Sequence, residues 1–224
     1  MPGDGSSSAA AVWAILRKEC RSEWRTRYGL NAALLFAVTT LTGVSFAVGR
    51  LPDRTDLLAA LLMVVLLFAA LASLAHAFVR EVEGHTLTFL RLVASPTAIA
   101  LGKLLFNVLF LAALEAVTVP LFLVLMGGPP VRWGPFLLVL GLASLALAAT
   151  TTLVGAVVSQ ARGRGALFAA VSLPLLMVVL AAGVSGLRAQ WDGNPVGAEA
   201  RILLAYVAVV MGASVLLYDH LWED

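Results

Sequence analysis

Hydrophobic and polar positions alternate along this chain in long blocks rather than with the short period of a soluble fold. Six apolar runs stand out, near Leu30–Val48, Leu57–Val79, Leu104–Met126, Phe136–Val158, Leu167–Leu187 and Ile202–Tyr218. About 20 residues of helix cross a hydrocarbon layer roughly 30 Å thick, so each run predicts a membrane-spanning helix. Short polar segments divide them: Gly49–Asp56, Arg80–Lys103, Gly127–Pro135, Ser159–Ala166 and Arg188–Arg201. Residues 1–10, MPGDGSSSAA, are small and polar and predict a disordered start. Residues 11–28 have a different rhythm. Val12, Leu16, Cys20, Trp24 and Tyr28 recur every fourth residue with Trp13 beside them, and Arg17, Arg21 and Arg25 form the adjacent row. A basic face next to an aromatic-flanked apolar face predicts an interfacial helix lying in the headgroup plane.

The longest polar interruption has a helical pattern of its own. In Arg80–Pro96, REVEGHTLTFLRLVASP, Gly84 follows the acidic pair Glu81 and Glu83. Leu87, Leu90 and Val93 or Ala94 then mark one apolar stripe on about two helical turns. Pro96 is expected to end that helix, because the residue before a proline is pushed out of the α region. The fourth run carries small residues at spacing four: Ser144, Ala148, Thr152 and Ala156 on one stripe, Thr151, Gly155 and Ser159 on another. Such stripes let helix backbones approach closely, which predicts that this span is buried in a bundle or a subunit interface.

Composition agrees with the pattern. The 224 residues are 61% hydrophobic and 12% charged, with mean hydropathy +0.96, where a soluble domain is about 25% charged. The net charge of +2 is no argument for nucleic acid, since the basic residues sit at the ends of apolar runs. With the N-terminus inside, ten Lys and Arg fall on inner segments and five on outer ones, which predicts both termini in the cytoplasm. Trp13, Trp24, Trp133, Trp191 and Trp222 all fall at span ends, as an aromatic belt requires. Cys20 is the only cysteine, so no disulfide framework or haem-attachment motif exists. No basic segment precedes the first apolar residues, and no signal peptide is expected.

Few residues carry chemistry. Glu115 sits near the middle of the third run with Pro120 five residues on. A carboxyl at that depth faces a partner or a wet cavity, and Pro120 frees the carbonyl of Ala116 one turn away. Two readings stay open: a gating residue, or a packed glutamate paired with a Ser, Thr or Asn such as Asn107. His76, His85 and His220 fall on the cytoplasmic side in this topology; only His76, near Arg80, offers a poor candidate for a haem or metal ligand. Gly102-Lys103 lacks the upstream glycine of a phosphate-binding loop. With no nucleophile grouping, no HExxH and no paired carboxylates in one span, no catalytic residue is expected and the chain does not read as an enzyme.

Several stretches together resemble CcmB, the membrane subunit of the cytochrome c maturation ABC transporter, also called heme exporter protein B. They are WAILRKECRSEWRTRYGLNAALLF, FVREVEGHTLTFLRLVASP, LGKLLFNVLFLAALEAVTVPLF, SQARGRG before the fifth span, and the short acidic tail at residues 221–224. The Arg80–Pro96 element is similar to that of ABC-2-type permeases more broadly. HTLT at His85–Thr88 departs from the family pattern, in which a further acidic residue is expected. The resemblance implies an all-α polytopic domain over residues 29–220, with six transmembrane helices and an ABC-2/type V exporter-like arrangement. It implies a half-transporter in the bacterial inner membrane, acting as a homodimer with a CcmA-type ATPase, CcmC and CcmD. Glu81, Glu83, Gly84, Leu87, Leu90, Arg91 and Pro96 would then belong to a coupling helix at about residues 84–96. ATP and Mg would bind the partner ATPase and haem the partner subunits, with the work tied to release of the haem chaperone CcmE. Two alternatives differ in class: an ABC-2-type exporter of another small molecule or lipid, and a non-transporting scaffold that transmits ATPase motion.

Overall fold

A computed structural model describes residues 5–83, 96–158 and 164–221. Seven helices account for nearly all of them: α1 (Gly5–Thr26), α2 (Tyr28–Val48), α3 (Thr55–Glu83), α4 (Pro96–Met126), α5 (Trp133–Val158), α6 (Arg164–Trp191) and α7 (Gly197–Leu221). No strand occurs among the described residues. Five helices, α2, α4, α5, α6 and α7, contain stretches long and apolar enough to cross a membrane. α3 opens with a further apolar stretch, Thr55–Leu71. The chain is a polytopic all-α membrane protein.

Helix ends depart from the hydropathy boundaries in instructive ways. The first residues are not all irregular, since α1 begins at Gly5; the alanines at 9–11 are the best helix formers available. Pro96 opens α4, at the first position, where its missing N–H has no intrahelical role; the helix expected to end at it lies outside the described residues. α4 therefore starts eight residues before Leu104, and Gly102 and Lys103 are helical rather than loop residues. α6 runs past Leu187 to Trp191 and α7 starts before Ile202, at Gly197. Hydropathy measures the length facing lipid, whereas backbone hydrogen bonds continue wherever the chain remains helical.

α5 is the centre. Two-thirds of its spanning window is buried (67%), against 17% for α2 and for α7, which places those two at the periphery. α5 packs on α3, α4, α6 and α7, while α2 leans on α3 and α4. Ser144, Ala148, Thr151, Thr152 and Gly155 are all buried, so the small-residue stripes face protein. Phe122, Phe136, Leu111, Leu114 and Leu147 fill the space between α4 and α5. Two glycines of α6 set its approach to its neighbours. A Cβ at Gly186 would lie 2.8 Å from Cγ1 of Val139, and one at Gly183 would lie 2.5 Å from Cε of Met63.

The α2–α3, α4–α5 and α6–α7 connections meet at one end of the bundle and are tied together. Leu51 N–H donates to the Met126 carbonyl (2.9 Å), and the Thr55 hydroxyl donates to Asp192 (2.6 Å). α6 ends in a Schellman arrangement: Gly193 has φ 81°, its N–H reaches Gln190 O at 3.4 Å, and Asn194 N–H reaches Ala189 O at 2.7 Å. The Arg132 guanidinium covers the remaining carbonyls, donating to Gln190 O (3.0 Å), Gly193 O (3.3 Å) and Asn194 O (2.8 Å). Trp191 is buried beneath this cap against Phe136, 5.9 Å between ring centroids. It therefore leaves the aromatic belt, whereas Trp13, Trp24 and Trp133 remain exposed; Trp222 lies outside the described residues.

At the opposite end α1 packs across the start of α4. Its buried face is Ile15 and Leu16, with Val12, Glu19 and Glu23 partly covered. The expected apolar row at spacing four is thus split: Val12 and Leu16 meet protein, while Cys20, Trp24 and Tyr28 stay exposed. The contact depends on Gly102. A Cβ there would come within 2.7 Å of Ile15 Cγ2 and 3.2 Å of the Val12 carbonyl oxygen. We expect Gly102→Ala to lower stability in detergent by about 1–3 kcal/mol, the usual cost of overpacking. Ile15→Ala restores only part of it, because the Val12 carbonyl and the residual Cβ still obstruct. An unchanged thermal midpoint for Gly102→Ala would remove this contact as a determinant of the fold.

Candidate functional site

The polar groups inside the bundle are few and are arranged as rungs between α4 and α5. Asn107 Nδ2 donates to Thr152 Oγ1 at 2.8 Å, both residues being buried. Two turns further along α4, Glu115 accepts a hydrogen bond from the Ser144 hydroxyl. The pairs are eight residues apart on both helices, running in opposite senses. At 1.5 Å per residue they lie about 12 Å apart along the helix axis. Leu111 and Ala148, both fully buried, occupy the level between them. Antiparallel register therefore selects Ser144 for Glu115, and Thr152 rather than Glu115 for Asn107.

Thr152 also donates to the Ala148 carbonyl (2.7 Å), and Thr150 and Thr151 bond back to Ala146 and Leu147 (2.8 Å each). Thr150 further meets the Tyr206 hydroxyl of α7 at 2.9 Å, and that hydroxyl also lies 3.0 Å from Leu175 O of α6; with the Thr150 proton given to Ala146 O, the one phenolic proton serves Thr150 or Leu175 O in turn. One tyrosine so joins three helices. Pro120 stands inside α4 and is exposed; the Thr118 hydroxyl beside it is buried without a hydrogen-bond partner among the described residues. A half-open, almost wholly apolar groove of ≈180 Å³ lies between α4, α5 and α7, bordered by Leu101, Leu104, Ala149, Thr152 and Met211.

The α1–α2 corner uses its charges in a way that periodicity does not reveal. Only Arg27 separates the helices, and it adopts a left-handed conformation (φ 50°, ψ 14°). That costs a non-glycine residue roughly 1–2 kcal/mol. Its guanidinium lies 5.1 Å from the centre of the Trp24 ring, a stabilising cation–π distance. Glu23 supplies the cap that Arg27 does not: its Oε1 accepts the Leu30 N–H at 2.8 Å, and Gly29 leaves room for the carboxylate. A negative group at a helix N-terminus is favoured by the helix dipole. Glu19 pairs with Lys18 at 3.1 Å and also acts on Lys103 of α4.

The remaining candidates are placed as follows. Trp13, Arg17, Arg21, Trp24 and Arg25 lie on α1 with exposed side chains. Glu81 and Glu83 are in the last turn of α3, and Pro96 begins α4. Gly84, Leu87, Leu90 and Arg91, with His85, lie outside the described residues. His76 falls in α3 and His220 in α7. Among the described residues no three His, Cys, Asp or Glu side chains converge as a metal site.

The model of the CcmB protein family matches residues 10–217, nearly the full chain. The chain belongs to the CcmB family. No curated protein matches it. Membership makes the chain a membrane permease subunit of the haem-export ABC transporter of cytochrome c biogenesis, a component that is not itself catalytic. It also implies a complex with other Ccm components, the ATPase among them. As a CcmB-family chain it is a multi-pass membrane protein.

Two measurements test this geometry. In a double-mutant cycle of Glu115→Gln and Ser144→Ala, we expect a coupling of about 0.6 kcal/mol, and no more than about 1.7 kcal/mol, typical of interhelical hydrogen bonds in lipid. Additive effects on unfolding would show that the rung contributes nothing. On α1, burial, and then the neighbouring Glu19 carboxylate, push the Cys20 thiol above its ordinary pKa. Since the thiolate is the reactive form, maleimide labelling at pH 8 should be slow and should accelerate in Glu19→Gln. Equal rates in both proteins would remove Glu19 as a cause.

Proposed function

We propose that this chain is a half-transporter of the cytochrome c maturation complex that transmits ATPase motion through the membrane. α3 with α2 and α4–α7 would supply six spans in an ABC-2/type V exporter-like arrangement, two copies forming the transmembrane core. Both termini would be cytoplasmic in a bacterial inner membrane, as the ten-to-five distribution of Lys and Arg favours. The observation that carries the reading is the family match across residues 10–217.

In this reading residues 84–96 form the coupling helix. Leu87 and Leu90 would give it an apolar face for a CcmA-type ATPase, with Glu81, Glu83, Gly84 and Arg91 around it and Pro96 starting α4. ATP and Mg would be held by that ATPase, and this chain would bind no nucleotide. A nucleotide-driven change in the ATPase shifts the bundle only if the two states of the bundle contact it differently. CcmC and CcmD would stand alongside, and the work would release the haem-loaded chaperone CcmE. The groove of ≈180 Å³ is smaller than the roughly 300–1,000 Å³ of ligand pockets, which favours force transmission over a haem conduit within one copy. The polar rungs of α4 and α5 then serve to keep two helices in register, with Glu115 and Pro120 at the point where a shift between them would be felt.

Gentle extraction of the tagged full chain should recover an ATPase together with a haem-carrying partner. Leu87→Asp or Leu90→Asp should abolish cytochrome c maturation and lose the ATPase while membrane levels of the chain stay unchanged. Normal cytochrome levels in both variants would overturn the coupling role. An ATPase without haem partners would favour an exporter of other cargo.

A further inference from the structure

The charges of α1 are sorted by face. Ile15, Glu19, Val12, Glu23 and Leu16 occupy an arc roughly 100° wide at 3.6 residues per turn, and this is the arc turned to α2 and α4. Both carboxylates of α1 lie in it. Glu23 is committed to the N-terminus of α2, and Glu19 to Lys18 and the field at Lys103. The opposite arc carries Cys20, Trp13 and Trp24 on one flank and Arg17, Arg21 and Arg25 on the other, all exposed. Trp13 is 65% and Trp24 76% exposed. None of the three arginines makes an ion pair among the described residues.

We propose that this outer face of α1 is a binding surface for the headgroups of anionic phospholipids. Three features select that occupant. The face is purely cationic because its own acids have been drawn inward, so complementarity requires negative charge. The Trp13–Trp24 flank supplies amphipathic rings suited to the headgroup level. And α1 crosses α4 at Gly102, near the start of the α4 candidate span Thr97–Met126, which sets the arginine row at the edge of the hydrocarbon. Arg27, stacked on Trp24, extends the row to the α1–α2 corner. Phosphate oxygens accept from guanidinium groups in paired geometry, and lipids of net negative charge are enriched around such a row. The surface is independent of which ATPase, or whether any, couples to the chain.

Cys20 provides the probe, since it is the only cysteine and lies beside the arginine row. The full chain, labelled there with a bimane fluorophore, is placed in nanodiscs in which either phosphatidylglycerol or phosphatidylcholine is brominated. Brominated phosphatidylglycerol should quench several-fold more than brominated phosphatidylcholine at equal mole fraction. The preference should shrink with each of Arg17→Gln, Arg21→Gln and Arg25→Gln and vanish when they are combined, fall with added salt, and survive Arg→Lys at the same sites. Because these side chains lie off the packed face, helicity by circular dichroism should be unchanged in every variant. Equal quenching by the two lipids in the unmodified chain would overturn the proposal. So would the absence of quenching by either, which would assign the face to a protein partner.

Discussion

Inside hydrocarbon an apolar side chain gains little by turning from lipid to protein, so helices associate through close packing and interhelical polar contacts. The structure depends on α5 meeting that condition. Ala148, Thr151 and Gly155 are small and buried on α5, and on α6 Gly186 makes room for Val139 of α5 while Gly183 makes room for Met63 of α3. Hydroxyls along α5 first satisfy their own helix carbonyls and then reach outward, Thr152 to Asn107 and Thr150 to Tyr206. Asn107, Glu115, Thr150 and Thr152 thus sit inside the bundle with partners. α2 and α7 lie at the periphery, α7 tied to the centre through Tyr206.

Much of this was legible before the fold was known. The all-helical, polytopic character, the C-terminal ends of α2, α4 and α5, and the burial of α5 all follow from hydropathy and from small residues at spacing four. Gly193, within WDGNP at Trp191–Pro195, caps α6 because glycine accepts the positive φ that the cap requires. Pairings were not legible. Nothing near Glu115 in the chain marks Ser144 as its partner, because the choice is made by the register of two antiparallel helices. Nothing in the periodicity of α1 singles out Ile15, whose importance comes from the absence of a side chain at Gly102. Pro96 shows a different limit: a proline is compatible with the first turn of a helix and hostile to its interior, so the same residue reads as a stop or a start. The residues from Gly84 to Arg91 lie outside the described structure, and the coupling role proposed for them rests on the family resemblance alone.

The two ends of the bundle are built on opposite terms. Where the connections are short, backbone carbonyls, Arg132, Asp192 and Thr55 close on one another, and Trp191 is sealed beneath them. α6 and α7 are tied through that cap to α3 and α5. At the other end the binding between elements is made by carboxylates of α1 reaching helix α2 and the start of α4. Cohesion at the first end is mainly backbone geometry; at the second it is charge, placed where water and headgroups screen it.

Arg27 turns the second end into an elbow. With one residue between α1 and α2, and that residue confined to a narrow left-handed well, the corner has almost no slack. Glu23 tightens it by gripping α2 from within α1. A tilt of the surface helix is therefore converted directly into rotation of the first membrane span, as a crank turns a shaft. The same rigidity means that whatever fixes the angle of α1 also sets that of α2.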